Sequence, residues 1–120
     1  TEDHDFGSAD WRSRQGNMGA IKMFAALFGP EKFKDNVRAV EELKGIAAAY
    51  DKSLPQLALR WAISHPAVST ALVGCRSVAE VEDNAGAVGW SISPAHLAEI
   101  DAIFARHDID TSPEFWIEEA

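Results

Sequence analysis

The apolar run at residues 68–73 constrains the fold more than any other part of this sequence. It is short, nearly continuous and followed by Gly74, a pattern typical of a strand covered on both faces, as in parallel sheets. Such a strand needs neighbours that satisfy its backbone donors and acceptors. No second clear strand pattern occurs in the chain. We therefore expect the run to pair with another chain or with a longer parent protein, as a piece of an α/β fold.

Helical patterns precede this run. Pro30 opens a pattern in which apolar residues recur at steps of three and four, which is typical of an amphipathic helix. The positions predicted to face inward are Phe33, Val37, Val40, Leu43, Ile46, Ala47 and Tyr50. Ser53 and Gln56 form a capping box that begins a second helix. This helix is apolar on most sides, so we expect it to be well buried, and the pair His65 and Pro66 ends it.

Two more helices are predicted after the run. Ser77 and Glu80 form a second capping box, and Ser93 with Pro94 begins the last helix. The positions predicted to face inward are Val78, Val81, Ala85 and Val88 in the first of these helices, and Leu97, Ile100, Ile103 and Phe104 in the second.

The same patterns divide the chain into three parts. Residues 1–29 form a polar loop and an apolar segment at 18–28, for which a short helix is the better prediction. Residues 30–106 form the helical body that contains the apolar run, and residues 107–120 form a polar tail. The length of 120 residues fits one domain of ordinary size.

Charge and cysteine content narrow the classes of partner. The net charge of −8 repels nucleic acids and anionic membranes, so any phosphate ligand must be held by local geometry. No apolar run approaches the roughly 18–20 residues that a membrane helix needs. Cys75 is the only cysteine and cannot form an internal disulfide, which favours a reducing, cytoplasmic setting.

The turn of Gly74, Cys75, Arg76 and Ser77 is the best candidate for a ligand site. Glycine lets a ligand approach the backbone, arginine offers a planar charged fork, and serine can cap the helix or bind a phosphate oxygen. The free N–H groups of a helix N-terminus point toward such a ligand. Asn84, two helical turns later, can contact an adenine edge. The structural alternative is a simple cap, a surface charge and a polar helix residue.

Other chemistries have less support. The four histidines, His4, His65, His96 and His107, lack metal-ligand spacing, so we predict no metal site. Cys75 has no histidine partner nearby in sequence, which favours an inert thiol. The aromatic residues Tyr50, Trp61 and Trp90 are interpreted as packing residues.

Residues 57–66, followed by 72–77 and 82–84, resemble the C-terminal part of an aldo-keto reductase. Residues 90–101 resemble the last barrel helix of that family, and the resemblance covers roughly residues 7–106. The family is a (β/α)8 TIM barrel that uses NADPH, or less often NADH, to reduce aldehydes and ketones. The resemblance therefore implies the C-terminal portion of such a barrel, which is about 250 residues when complete. Alone, the chain should be mainly α-helical, with one short strand at about 68–73.

The resemblance also implies which residues bind the cofactor. Gly74 and Arg76 would hold the 2′-phosphate of NADP(H), and Asn84 with Asp83 would contact the adenine. Glu80 stands where relatives often carry Gln or Arg, and an acidic residue there weakens the expected hold on the phosphate. The predicted cofactor site comprises Gly74, Cys75, Arg76, Ser77, Glu80, Asp83 and Asn84.

No catalytic residue is predicted in this chain. The family's tetrad of Asp, Tyr, Lys and His lies in the earlier half of the barrel and cannot be assigned here, so we expect the segment to be inactive alone. The implied partners are the dinucleotide and either the missing part of the barrel or a second copy of the chain. Two alternatives stay open: a non-catalytic helical oligomerisation module, and a phosphate-binding corner for another ligand.

Overall fold

In the part of the chain that the structure describes, four helices form where the sequence carries helix-starting residues. The structure is a computed structural model that describes residues 30–109 and 111. The helices of this part of the chain are α1 (Pro30–Ala48), α2 (Leu54–Ser64), α3 (Val78–Ala85) and α4 (Pro94–Arg106). The predictions for residues 1–29 and for most of the tail lie outside the described residues. Two compact units contain the described residues: a central unit of residues 42–102, and a terminal unit that includes 30–41, 103–109 and 111.

Helix α2 begins and ends where the sequence predicts. The Ser53 Oγ accepts a hydrogen bond from the Gln56 N–H at 3.3 Å, and the Gln56 Oε1 accepts one from the Ser53 N–H at 3.1 Å. This reciprocal pair confirms the capping box. The helix stops at Ser64, and His65 is extended because a residue before proline avoids the helical region.

The predicted burial of α2 is wrong. Leu57 is its only buried residue, and Trp61 is 37% exposed. A helix that is apolar on most sides is buried only where other elements cover those sides. Within the described part of the chain, the element that packs most closely on α2 is the short helix α3.

The predicted strand at residues 68–73 is also wrong. No residue of the described ranges is in a strand, and this segment has no regular secondary structure. Leu72 is 97% exposed, while Val68 and Val73 are 39% and 42% exposed. A strand forms when a neighbouring strand shares its backbone hydrogen bonds. With no such neighbour among the described residues, the apolar side chains remain uncovered.

The core of the central unit comes from α1, α2, α4 and the connection between α3 and α4. Its buried residues are Ile46, Ala47, Leu57, Ala87, Ile92 and Ile100. Three of these, Ile46, Ala47 and Ile100, were predicted to face inward, and the structure confirms them. In the terminal unit, Ala39 and Ile103 are buried, and a hydrogen bond to the Asp108 carboxylate raises the pKa of Lys32 above its ordinary value.

An aromatic corner joins the end of α1 to the start of α4 within the central unit. The Tyr50 hydroxyl accepts a hydrogen bond from the Ser93 N–H at 2.8 Å and lies 2.7 Å from the His96 Nδ1. The Tyr50 and Trp90 ring centroids are 4.9 Å apart. Ser93 also caps α4, because its Oγ accepts from the His96 N–H at 3.2 Å. The prediction that Tyr50 and Trp90 are packing residues is confirmed.

Candidate functional site

The turn before α3 is shaped by a helix cap. Ser77 has an extended backbone, with φ −145° and ψ 161°, and its Oγ accepts a hydrogen bond from the Glu80 N–H at 3.2 Å. One of the unpaired N–H groups of the first helical turn is thereby satisfied. The reciprocal half of the predicted capping box is absent, because Glu80 does not bond to the Ser77 N–H.

The Glu80 carboxylate bonds instead to Arg76. Its Oε2 accepts a hydrogen bond from the Arg76 N–H at 2.6 Å, and its Oε1 lies 3.6 Å from the Arg76 Nη2. The Arg76 side chain is otherwise 91% exposed. The guanidinium is therefore accessible, but a carboxylate lies beside it. An incoming phosphate would be attracted by the arginine and repelled by the glutamate.

Asn84 folds back over the same turn. Its Nδ2 donates to the Cys75 Sγ at 3.3 Å, although the two residues are nine positions apart. Sulfur is a weak acceptor, so this contact orients the amide, and a ligand that replaces it loses little hydrogen-bond energy. The structure thus brings together the polar groups of Cys75, Arg76, Ser77, Glu80 and Asn84 around one turn.

Gly74 leaves open space at the start of this turn. A Cβ added at Gly74 would meet no atom within 4 Å. The described part of the fold therefore does not itself require glycine at this position. A ligand that approaches the backbone closely would supply such a requirement.

Asp83 is directed to α2. Its Oδ1 accepts a hydrogen bond from the Gln56 Nε2 at 3.0 Å, and its backbone carbonyl accepts from the same nitrogen at 2.8 Å. The Ser53 Oγ lies 3.4 Å from the same carboxylate. The sequence pattern predicts the capping role of Ser53 and Gln56 but does not indicate this contact, which joins residues 27 positions apart.

Neither a metal-ligand cluster nor a membrane-spanning helix occurs in the described part of the chain. The described residues contain no group of three or more His, Cys, Asp and Glu side chains placed to hold a metal ion. Among the helices described, none is long and apolar enough to cross a bilayer. Cys75 is exposed and free.

Comparison with known proteins places the chain in a family. The sequence model of the Aldo/keto reductase family matches residues 1–105, so the chain belongs to that family. Members of this family are NAD(P)H-dependent oxidoreductases built on a (β/α)8 barrel.

One curated relative is aldo-keto reductase YhdN of Bacillus subtilis (strain 168), which is 28% identical over 117 residues. The alignment covers 96% of this chain and 32% of the relative, so the chain spans about a third of that protein's length. The comparison with solved structures gave no match.

Proposed function

We propose that this chain is the NADP(H)-binding C-terminal segment of an aldo-keto reductase. One observation carries the proposal: an almost fully exposed guanidinium, that of Arg76, directly precedes a capped helix N-terminus, and the Asn84 amide folds back to the same turn. A charged fork beside free backbone N–H groups is suited to a phosphate. An amide within reach of the same turn is suited to the adenine that the phosphate-bearing ribose carries.

Each residue of the turn has a part in this proposal. Arg76 binds the 2′-phosphate, and Gly74 allows it close to the backbone. Cys75 and Ser77 line the turn, while Asp83 and Asn84 form the adenine side. Glu80 competes with the phosphate for Arg76, which makes binding weaker than the arginine alone would give.

The parent reaction in this proposal is the reduction of an aldehyde or ketone. When bound, the reduced nicotinamide would supply a hydride to the carbonyl carbon, and an acid of the family's tetrad would supply the proton that completes the alcohol. The residues of this chain hold the adenosine end of the dinucleotide. The rest of the barrel is the partner that carries the catalytic tetrad, and the free thiol of Cys75 supports a reducing, cytoplasmic location.

The proposal includes inactivity of the chain alone. The only tyrosine is Tyr50, whose hydroxyl accepts from the Ser93 N–H and lies 2.7 Å from the His96 Nδ1, and we assign it the packing role of the aromatic corner, not that of the tetrad tyrosine. We expect no consumption of NADPH when the purified chain is mixed with a simple aldehyde. Steady turnover that survives further purification would contradict this part of the proposal.

Titration with NADPH and NADH tests the binding role. Arg76→Ala should weaken NADPH binding about tenfold and leave NADH binding unchanged, because only NADPH carries the 2′-phosphate. Arg38→Ala is the matched control, since it removes an exposed arginine that is also ion-paired along its own helix, with Asp35 at 3.5 Å. Equal NADPH affinity in the wild type and Arg76→Ala would refute the assigned role.

The same titration separates a general phosphate site from a dinucleotide site. If the corner binds phosphate alone, inorganic phosphate should bind as tightly as NADPH, and Arg76→Ala should weaken both equally. A dinucleotide site should prefer NADPH, because Asn84 adds contacts that inorganic phosphate cannot make.

A second candidate function, an oligomerisation module, is favoured by exposed apolar side chains. Leu72 is 97% exposed, and Val78, Val81 and Val88 are 74%, 52% and 64% exposed. The prediction that these valines face inward is wrong for this chain. Exposed apolar surface of this kind marks interaction sites. Light scattering over a range of concentrations tests the candidate: a rising mass that Val78→Asp abolishes would support it, and a clean monomer would contradict it.

A further inference from the structure

The side chain of Gln56 bonds to two helices at once. Its Oε1 accepts from the Ser53 N–H at 3.1 Å, which completes the cap of α2. Its Nε2 donates to the Asp83 carbonyl at 2.8 Å and to the Asp83 Oδ1 at 3.0 Å, both on α3. One amide group therefore satisfies the start of one helix and the last turn of another.

The backbone around this amide is closely fitted. A Cβ added at Gly86 would lie 2.3 Å from the Gln56 Nε2 and 2.8 Å from its Cδ. Real Cβ contacts are not this short, so only glycine at position 86 leaves room for the amide. The φ of Gly86 is −64°, which any residue can adopt, so the requirement for glycine comes from the Gln56 amide and from the Asp83 carbonyl oxygen, which would lie 3.1 Å from an added Cβ.

Helix α3 has little else to fix its position. None of its residues is buried, and Val78 and Val81 are mostly exposed. Hydrophobic burial holds most surface helices in place, and here that contribution is small. The bonds from Gln56 to Asp83 are the shortest polar contacts between α2 and α3, and the Ser53 Oγ makes a longer contact with the same carboxylate. Asn84 follows Asp83 directly, so whatever moves Asp83 moves Asn84.

We propose that Gln56 is a positioning residue for the adenine side of the dinucleotide site, acting through Asp83 and Asn84. This inference rests on the function proposed above. Gln56 itself does not touch the ligand. It sets the place of the last turn of α3, and hence of the Asn84 amide, relative to the turn that carries Arg76.

Gln56→Glu is the sharpest test. The substitution keeps an acceptor for the Ser53 N–H, so the capping box survives. It replaces the donor with a carboxylate oxygen that faces both the Asp83 carbonyl and the Asp83 carboxylate. We expect NADPH and NADH to bind about tenfold more weakly, with their affinity ratio unchanged, because the adenine is common to both. Arg76→Ala differs, since it should change that ratio.

Two further variants separate positioning from loss of stability. Ser93→Ala removes the cap of α4 without touching Asp83, so it should lower the unfolding temperature and leave both affinities unchanged. Gly86→Ala adds only a methyl group, which displaces the amide, and it should weaken the binding of both dinucleotides. This variant provides the test in the event that Gln56→Glu does not fold.

The outcomes separate this inference from the proposed function. If the wild type binds neither dinucleotide, the proposed function falls, and this inference falls with it. If the wild type binds both and the folded Gln56→Glu and Gly86→Ala variants bind equally well, only the inference falls. A loss confined to NADPH, or an equal loss in Ser93→Ala, would also overturn it.

Discussion

At the scale of single residues, Glu80 decides how strongly the turn can hold a phosphate. Its carboxylate bonds to the Arg76 N–H and lies beside the Arg76 guanidinium. The glutamate orders the turn through the first contact and opposes an anion through its charge. Glutamine at this position would separate the two effects, because it keeps an oxygen for the Arg76 N–H and carries no charge.

Glu80→Gln should therefore raise the affinity for NADPH. The amide oxygen can still accept from the Arg76 N–H, while the negative charge near the phosphate is lost. Because the ion pair is largely exposed, the gain should be modest, about two- to fivefold. Glu82→Gln is the control, since it removes the same charge from the same helix at a position that does not face Arg76. A gain for NADH as large as that for NADPH would contradict this account.

At the scale of elements, helix ends were predictable, whereas helix faces were predictable in part of α1 and α4 but not in α2 and α3. Serine caps and prolines act on N–H groups within three residues, so Ser53, Ser77 and Ser93 identify their helices from local sequence alone. Burial depends on which elements cover a face. The valines of α3 have an inward-facing spacing, yet they are exposed because nothing in the described chain covers them.

Two glycines test the backbone geometry of these elements. Gly45 lies inside α1 and Gly89 lies in the turn between α3 and α4 with φ +84°, and a Cβ at either would meet nothing within 4 Å. Gly89→Ala should lower the free energy of unfolding by about 1–2 kcal/mol, because the left-handed backbone is strained for alanine.

Gly45→Ala should raise the free energy of unfolding by about 0.5–1 kcal/mol, because alanine is the better helix former. Chemical denaturation measures both changes. The same sign for the two variants would show that the assigned backbone geometry is wrong.

At the scale of the whole molecule, the family and the turn could be predicted from the sequence, but the contacts between distant residues could not. The resemblance to aldo-keto reductases is confirmed by the family match over residues 1–105. The turn at 74–77 was predictable because its signals are adjacent in sequence. The bonds from Gln56 to Asp83 were not, since no local pattern reports a contact 27 residues away. The prediction of a strand at 68–73 is wrong for a related reason, because a strand forms only when a second strand pairs with it.

The central claim is that a dinucleotide binds at the turn before α3. The most direct test is a nuclear magnetic resonance titration of the isotope-labelled chain with NADPH. We predict chemical-shift changes concentrated at residues 74–84, strongest at the Arg76 and Ser77 backbone amides and the Asn84 side-chain amide, and smaller with NADH at Arg76. Saturating NADPH that leaves these signals unmoved, or moves only signals elsewhere such as those of α1, would contradict the claim.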